Sequence, residues 1–359
     1  MTSRGISAMC GMIMFLASCT EKADPLPRNP SNSETAQAQE LGSPSEASRP
    51  GPMEPGSTSG DPVTDATSRA PHESAPPSNV TVPEKREAPA TLSLDLGNEV
   101  WKVQMQLVLI PAGEFMMGSR ESAAEVFKKM RPYTGLPEEE YFACEHPRHL
   151  VKITRPFYMG KYEVTQNQYM AIMGIEYSHS AFQNEDNPAE QVPWNHAMQF
   201  CQKLSQRASR RIRLPTEAEW EYACRAGTTT AFNFADELNP PRANFNARMT
   251  YPYVRPWRSV GSRPLRPMPV GSFEANGWGL YDMHGNVFEW CSDYFDPGYY
   301  AASPSSDPTG PAKGKTRVIR GGSWKFGGYC CRSAYRDRRD AVIHHDNIGF
   351  RVVAEVSEH

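Results

Sequence analysis

Apolar and polar positions divide the chain into three stretches. Residues 1–19 hold one basic residue, Arg4, then the apolar run Met9 to Phe15 and the small-residue end Leu16-Ala17-Ser18-Cys19. Residues 20–91 show no periodicity. Thr20 to Ala90 contain no Phe, Trp or Tyr but 13 of the chain's 32 prolines. From residue 92 onward, regular patterns begin. Trp101 to Ile110 alternates in part and predicts a strand, with Pro111-Ala112-Gly113 as the turn of a hairpin and Gly118 as a second bend. Ser122 to Tyr141 reads as a charged surface helix followed by a loop. Thr165 is placed to cap a helix running through Tyr169 and Met173. Ala197, Phe200, Cys201 and Leu204 keep helical spacing and predict a helix over 197–205. Thr216 with Glu219 forms a capping box, behind which Trp220 and Ala223 turn to a core. Arg317 to Val353 reads as a strand, a turn marked by Gly321 and Gly322, an arginine-rich polar segment and a last strand.

Composition sharpens this division. Charge, short apolar run and small residues in that order describe a secretory signal, with an apolar run too short to span a bilayer. Leu-Ala-Ser-Cys at 16–19 resembles a bacterial lipobox, whose cysteine becomes the lipidated first residue. The expectation is an extracytoplasmic, membrane-anchored lipoprotein modified at Cys19. The alternative is an ordinary signal peptide with a chance cysteine. Residues 20–91 cannot bury enough apolar surface to offset chain entropy and read as a disordered linker. Residues 92–359 are the folding domain. Net charge of −3 gives no electrostatic case for nucleic acid. Eight cysteines without a CxxC pair describe neither a small disulfide scaffold nor a zinc site.

Three groups carry candidate chemistry. Asp282 and Glu289 flank Gly285 and Val287, so two hard carboxylates bracket a glycine-bent loop that can turn carbonyls inward, as calcium requires. A loop closed by carboxylate-to-amide hydrogen bonds is the alternative. His146 and His149 have metal-like spacing, but Pro147 disfavours the helix that would face both imidazoles the same way, and a loop entering a strand is the simpler reading. Glu217, Glu219 and Glu221 look like catalytic carboxylates but are explained by a helix dipole that favours first-turn acids.

Four motifs and the C-terminal stretch resemble the formylglycine-generating enzyme, or sulfatase-modifying factor, family. They are Ile110-Pro111-Ala112-Gly113-Glu114-Phe115-Met116-Met117-Gly118-Ser119, the segment 156–169, Arg213-Leu214-Pro215-Thr216-Glu217-Ala218-Glu219-Trp220, and Asn276 to Trp290. The C-terminal stretch carries Arg320-Gly321-Gly322-Ser323-Trp324 and Asn347-Ile348-Gly349-Phe350-Arg351. The resemblance covers roughly Gln106 to Val353. It implies a mixed, irregular α+β fold of C-type-lectin kind, low in regular secondary structure. It implies enzymes that oxidise a sulfatase cysteine to formylglycine with oxygen and a copper(I) ion held by two thiolates, soft ligands for a soft ion.

Carried over by position, Cys331 is the second copper cysteine and the first falls on Phe326, which cannot ligate. Cys330 is no substitute if the stretch is extended, because neighbouring side chains then face opposite ways. Ser323 joins Cys331 as a catalytic candidate. Arg339, Asn347 and the aromatic Phe288 match the substrate pocket. Asp282 and Glu289 side chains with Gly285 and Val287 carbonyls match a calcium site. A second calcium site, beginning at Asn244 and Phe245, is discounted because Ser262 stands where its aspartate belongs. Cys201 and Cys224 match halves of two family disulfides whose partner positions fall near Val352 and Arg336, so they read as buried thiols or as thiols paired elsewhere. An iron-dependent sulfoxide synthase is set aside because no HxxxHxE motif occurs. Two readings remain: a formylglycine-generating oxidase acting on exported sulfatases, and a tethered peptide- or glycan-binding module on the same fold. Cu+ is the doubtful cofactor and Ca2+ the expected one.

Overall fold

A computed structural model describes residues 91–356, apart from 98–101, 131–138, 178, 239–241 and 248–264. Cys19, the signal segment and linker residues 20–90 lie outside the described residues, as does Ser262. No described helix is long and apolar enough to cross a membrane.

The elements are short, and the α+β class expected from the sequence holds. In chain order they are β1 (Thr91–Asp95), β2 (Gln104–Ile110), β3 (Gly113–Met117), α1 (Ala123–Met130), α2 (Glu140–Ala143), β4 (His149–Ile153), β5 (Phe157–Gly160) and α3 (Gln166–Met173). Then come α4 (Trp194–Ala208), β6 (Ile212–Arg213), α5 (Glu217–Arg225), β7 (Phe288–Tyr294), β8 (Arg317–Arg320), β9 (Asp337–Arg339), β10 (Ile348–Gly349) and β11 (Val353–Glu355). An antiparallel five-stranded sheet runs in the order β1-β2-β5-β11-β6. A four-stranded sheet runs β10-β7-β8-β9, with β10 parallel to β7. Strands β3 and β4 pair separately.

Local chemistry explains most element starts. Thr165 and Thr216 each accept the backbone N–H three residues on, and Gln168 and Glu219 reach back to complete capping boxes. Helix α4 starts three residues before the spacing predicts, capped at Pro193, because Trp194 is drawn in by a hydrogen bond from its indole N–H to the Cys291 carbonyl at 2.8 Å. The expected hairpin at Pro111-Ala112-Gly113 does not form. Strand β2 pairs with β1 and β5, whereas β3 leaves that sheet to pair with β4. Ile110 and Val108 are buried while β3 exposes alternate residues, so the two stretches serve different surfaces.

Two apolar clusters fill the interior. One gathers Phe200, Tyr169, Phe350, Phe288 and Trp290, and the other packs Trp220, Met159, Val353 and Val318. Through both runs a set of buried ion pairs. Arg336 meets both oxygens of Glu217 at 2.6 and 2.7 Å, and Arg332 meets both of Glu145 at 2.7 and 2.6 Å. Glu221 lies between Arg225, at 2.8 Å, and Arg320. Burial opposes ionisation of Glu221, but the Arg225 and Arg320 guanidiniums and the Gly118 N–H outweigh it and hold the carboxyl below its ordinary range.

Losing one member of such a pair costs far more than losing an exposed cap. Glu217→Ala leaves Arg336 and Arg320 short of their counter-charge and should destabilise by about 3–5 kcal/mol. Glu219→Ala, which removes half a capping box and a partly exposed pair with Arg213, should cost about 1 kcal/mol. Urea titration of both variants measures this; equal losses would contradict a buried lattice.

Candidate functional site

The loop entering β7 is conformationally demanding. Asp282 and Asn286 adopt left-handed backbone at φ 58° and 61°, which Asp and Asn tolerate best among non-glycine residues. Gly285, at φ 107°, lies so close to Asn244 that a Cβ would stand 2.3 Å from its carbonyl oxygen. Asn286 links the loop to its surroundings: its side chain accepts from the Asn244 amide at 3.1 Å and donates to Glu163 at 2.6 Å. The Val287 N–H also donates to Glu163, at 3.0 Å.

Three buried carboxylates therefore meet here, from Glu163, Asp282 and Glu289, against one guanidinium, Arg351. Arg351 donates to both oxygens of Glu289 at 2.6 Å, and the Trp220 indole donates to the same group at 2.8 Å. Asp282 Oδ2 accepts the Gly271 N–H at 2.6 Å, while its Oδ1 is buried without a hydrogen-bond partner. Burial pushes the Asp282 carboxyl up to about 6. It pushes Glu163 well above the carboxylate range, and Asp282 and Glu289 add to the effect. The alternative loop closed by carboxylate-to-amide bonds is realised in part, through Gly271 and Val287.

The thiols lie beyond this loop. Cys330 and Cys331 end a 3-10 turn, Gly328–Cys331, rather than an extended stretch. The expectation that neighbouring side chains face opposite ways on an extended backbone therefore does not apply here. Cys330 meets the Tyr335 and Tyr329 hydroxyls, whereas Cys331 lies under Gly322, whose Cβ would stand 2.6 Å from the sulfur. Burial pushes Cys331 well above the thiol range, and Cys330 and Cys224 add to this. Cys224 lies 3.8 Å from His284 Nε2 and 3.6 Å from the Ser333 hydroxyl. The Asn233 N–H donates to His284 Nε2 at 3.0 Å, so Nδ1 carries the proton and donates to the Cys331 carbonyl at 2.7 Å. Burial pushes His284 down to about 4, so the imidazole is neutral.

Ser323 and Asn347 come together, the Asn347 amide donating to the Ser323 hydroxyl at 3.1 Å. Trp324 follows, edge-on to Phe182 at 5.4 Å, with its indole donating to the Asp346 carbonyl at 3.2 Å. Arg339 is held instead on β9 by Asp337 at 3.0 Å and by the Arg338 carbonyl at 2.6 Å. Phe288 is fully buried and meets Phe326 edge-on at 5.8 Å. His149 Nδ1 donates within its own loop to the Pro147 carbonyl at 2.9 Å, and His149 enters β4 as the loop-to-strand reading expects. Among the described residues no three His, Cys, Asp or Glu side chains converge on one metal position. The six described cysteines are free and buried, Cys201 and Cys224 included.

Sequence reasoning missed Glu163, Asn286 and Arg351. The available signal was a charged residue within each of two otherwise apolar strings, Tyr162-Glu163-Val164 and Phe350-Arg351-Val352.

The profile described as "Sulfatase-modifying factor enzyme 1-like domain" matches residues 97–356. The chain belongs to the sulfatase-modifying factor family. Within that family it is 41% identical over 157 residues to a formylglycine-generating enzyme of Streptomyces coelicolor, a match covering 43% of this chain and 45% of the relative. It is 29% identical over 245 residues to the "Chaperone protein LppX" of Paenibacillus barcinonensis, covering 55% of this chain and 79% of the relative. The structure of PvdO from Pseudomonas aeruginosa is similar at 26% identity and a TM-score of 0.58, covering 76% of this chain and all of that one. The Streptomyces relative is thus matched over less than half its length, and likeness to it establishes the family domain rather than the whole enzyme's activity.

The sulfatase-modifying factor domain of this chain carries its thiols in a form that resists chemistry. Burial pushes Cys144, Cys224 and Cys330 up to about 12. Native protein at mildly alkaline pH should leave all six described cysteines unmodified by iodoacetamide, with full reaction after denaturation. Peptide mass mapping reads this, and native alkylation of Cys331 would contradict it.

Proposed function

We propose that this chain is a membrane-anchored sulfatase-modifying factor family protein, lipidated at Cys19, that binds a polypeptide without oxidising it. One observation carries the reading: Phe326 stands where the resemblance places the first copper cysteine, and its ring packs against Phe288 on the apolar cluster. Cys330 is engaged by the Tyr335 and Tyr329 hydroxyls, and burial keeps its thiol protonated. The residues present do not fit a two-thiolate copper(I) site, and no step is derived through copper. The likeness to a protein named a chaperone supports a polypeptide partner. The exposed Lys325 and the half-buried Asp346, paired at 2.9 Å beside Trp324 and Ser323, form the polar rim where such a partner would dock.

Calcium is the cation this acid cluster supports, although its three carboxylates do not converge on one position as they stand. Three buried carboxylates face one guanidinium, and Asp282 Oδ1 has no partner. Asp282 and Glu289 with the Gly285 and Val287 carbonyls would hold the ion, and Glu163 would gain from its charge. Bound calcium supplies a counter-charge that lets these acids stay ionised while buried. Glu289 keeps its orienting contact with Arg351 throughout.

The deciding experiment incubates the chain with copper(I), calcium, oxygen and a peptide carrying Cys-x-Pro-x-Arg, and follows peptide mass. The expected result is no conversion, with Phe326→Cys gaining copper(I) binding in a chelator competition. Conversion by the unaltered chain would overturn the binding reading and install a formylglycine-generating oxidase acting on sulfatases in its place. Calcium has its own test. Added calcium should raise the thermal midpoint of the wild-type chain at pH 7 and leave that of Asp282→Asn unchanged, and an equal rise in both would remove Asp282 from the site.

A further inference from the structure

One concavity of the described residues lies away from both Ser323 and the acid cluster. It is a groove of about 1160 Å³ where β5, β6 and β11 end beside the N-terminus of α5. Helix α5 separates it from the thiols: Thr216 and Glu219 line the groove, while Cys224, two turns on, lies among His284 and Ser333. None of the residues assigned above to copper, calcium or the Ser323 corner lines it.

Four arginines face this groove, Arg155, Arg210, Arg211 and Arg213, against three carboxylates, Glu219, Asp307 and Glu355. The carboxylates are already engaged. Glu219 is held by Arg213 through both oxygens at 2.7 Å and accepts the Thr216 N–H at 2.8 Å. Asp307 accepts the Thr154 N–H at 2.9 Å and the Thr154 hydroxyl. Glu355 meets Arg211 at 3.0 Å. Arg210 meets no carboxylate among the described residues. Its Nη1 donates to the Glu355 carbonyl at 2.6 Å, and its guanidinium lies 5.9 Å from the Tyr158 ring. A guanidinium carries five N–H donors in a rigid fork, so Arg210 is oriented with donors to spare. Arg211 is 72% exposed and uses one nitrogen.

We propose that this groove binds an acidic stretch of polypeptide, with Arg210 and Arg211 receiving its carboxylates. The site is separate from the Ser323 corner and does not depend on the function proposed for it. Size argues against a lone small anion, since the groove exceeds the volume of most small-molecule pockets, roughly 300–1,000 Å³. Charge pattern argues against a densely charged polyanion. Glu219, Asp307 and Glu355 would each oppose a phosphate or sulfate laid along the groove, whereas a polypeptide spaces its charges and donates backbone N–H groups to such acids. Arg210 and Arg211 also satisfy the geometric demand of a carboxylate, which a fork of paired N–H donors meets in bidentate fashion.

The test uses the full chain and a fluorescein-labelled peptide alternating glutamate with serine, titrated by anisotropy at low and moderate salt. Binding should saturate at low salt and weaken as salt rises. Arg210→Gln/Arg211→Gln should bind about tenfold more weakly, and Arg210→Glu/Arg211→Glu more weakly still. Both variants should keep the wild-type circular dichroism and thermal midpoint, and if the glutamate pair unfolds the chain, the glutamine pair alone decides. Absence of peptide binding by the wild type at millimolar concentration would overturn the proposal. So would undiminished binding by the folded glutamine pair, or tighter binding of a sulfated oligosaccharide of the same net charge. Gain of Cys-x-Pro-x-Arg oxidation or its absence leaves this outcome untouched, so failure here and failure of the functional proposal are told apart.

Discussion

Everything else in this fold depends on a matched set of buried guanidiniums and carboxylates. Each arginine has two tasks. It neutralises a glutamate, and it satisfies carbonyls of irregular backbone that no sheet or helix would pair. Arg351 holds Glu289 and also donates to the Gly160 and Tyr281 carbonyls, both at 3.0 Å. Arg336 holds Glu217 and donates to the Cys144 carbonyl at 2.8 Å, and Arg225 holds Glu221 and donates to the Gly118 carbonyl at 3.0 Å. A chain with such short strands leaves many carbonyls away from ladders, and buried carbonyls need partners. Arginine, with five donors, meets that need where an apolar side chain cannot. The glutamates follow from the arginines, since a buried guanidinium without a counter-charge is costly.

This pairing also accounts for what was and was not legible. Caps at Thr165 and Thr216 were legible because their rule is local, one hydroxyl and one amide three residues on. The apolar spacing of α4 was legible for the same reason. Glu217 and Glu221 were read as first-turn acids serving the helix dipole; Glu221 does meet Arg225 one turn on, but the long-range partners of the two acids are 119 and 99 residues away in Arg336 and Arg320. No short-range pattern announces a partner at that separation. Glu163 and Arg351 were missed likewise, being single charges in apolar strings. The false hairpin at Pro111 had the opposite origin: its local turn chemistry was sound, and strand pairing with β5 overruled it.

The candidate site is a contrast between two interiors. Around Asp282 the chain collects more negative charge than its one guanidinium balances and leaves an oxygen unpartnered. Around Cys331 it collects protonated thiols, a neutral imidazole and hydroxyls, and burial outweighs the nearby guanidiniums that act on Cys224 and Cys330. The first environment invites a hard cation. The second suits a packed scaffold, in which the sulfur fills space beneath Gly322 and the His284 ring braces the turn from the other side.

Strand β11 is the last strand in sequence but not at the sheet's edge: it sits between β5 and β6, yet it is made after both by well over a hundred residues. Until Val353 and Ala354 emerge, β5 and β6 each present an unpaired edge, and Arg351 has not reached Glu289. Strands β1, β2 and β5 can pair with one another first, but closure of the sheet onto β6 waits for the last strand, and long loop closures slow that step. A copy cut short by a dozen residues keeps an open edge on each of β5 and β6, a template for association rather than a smaller working domain.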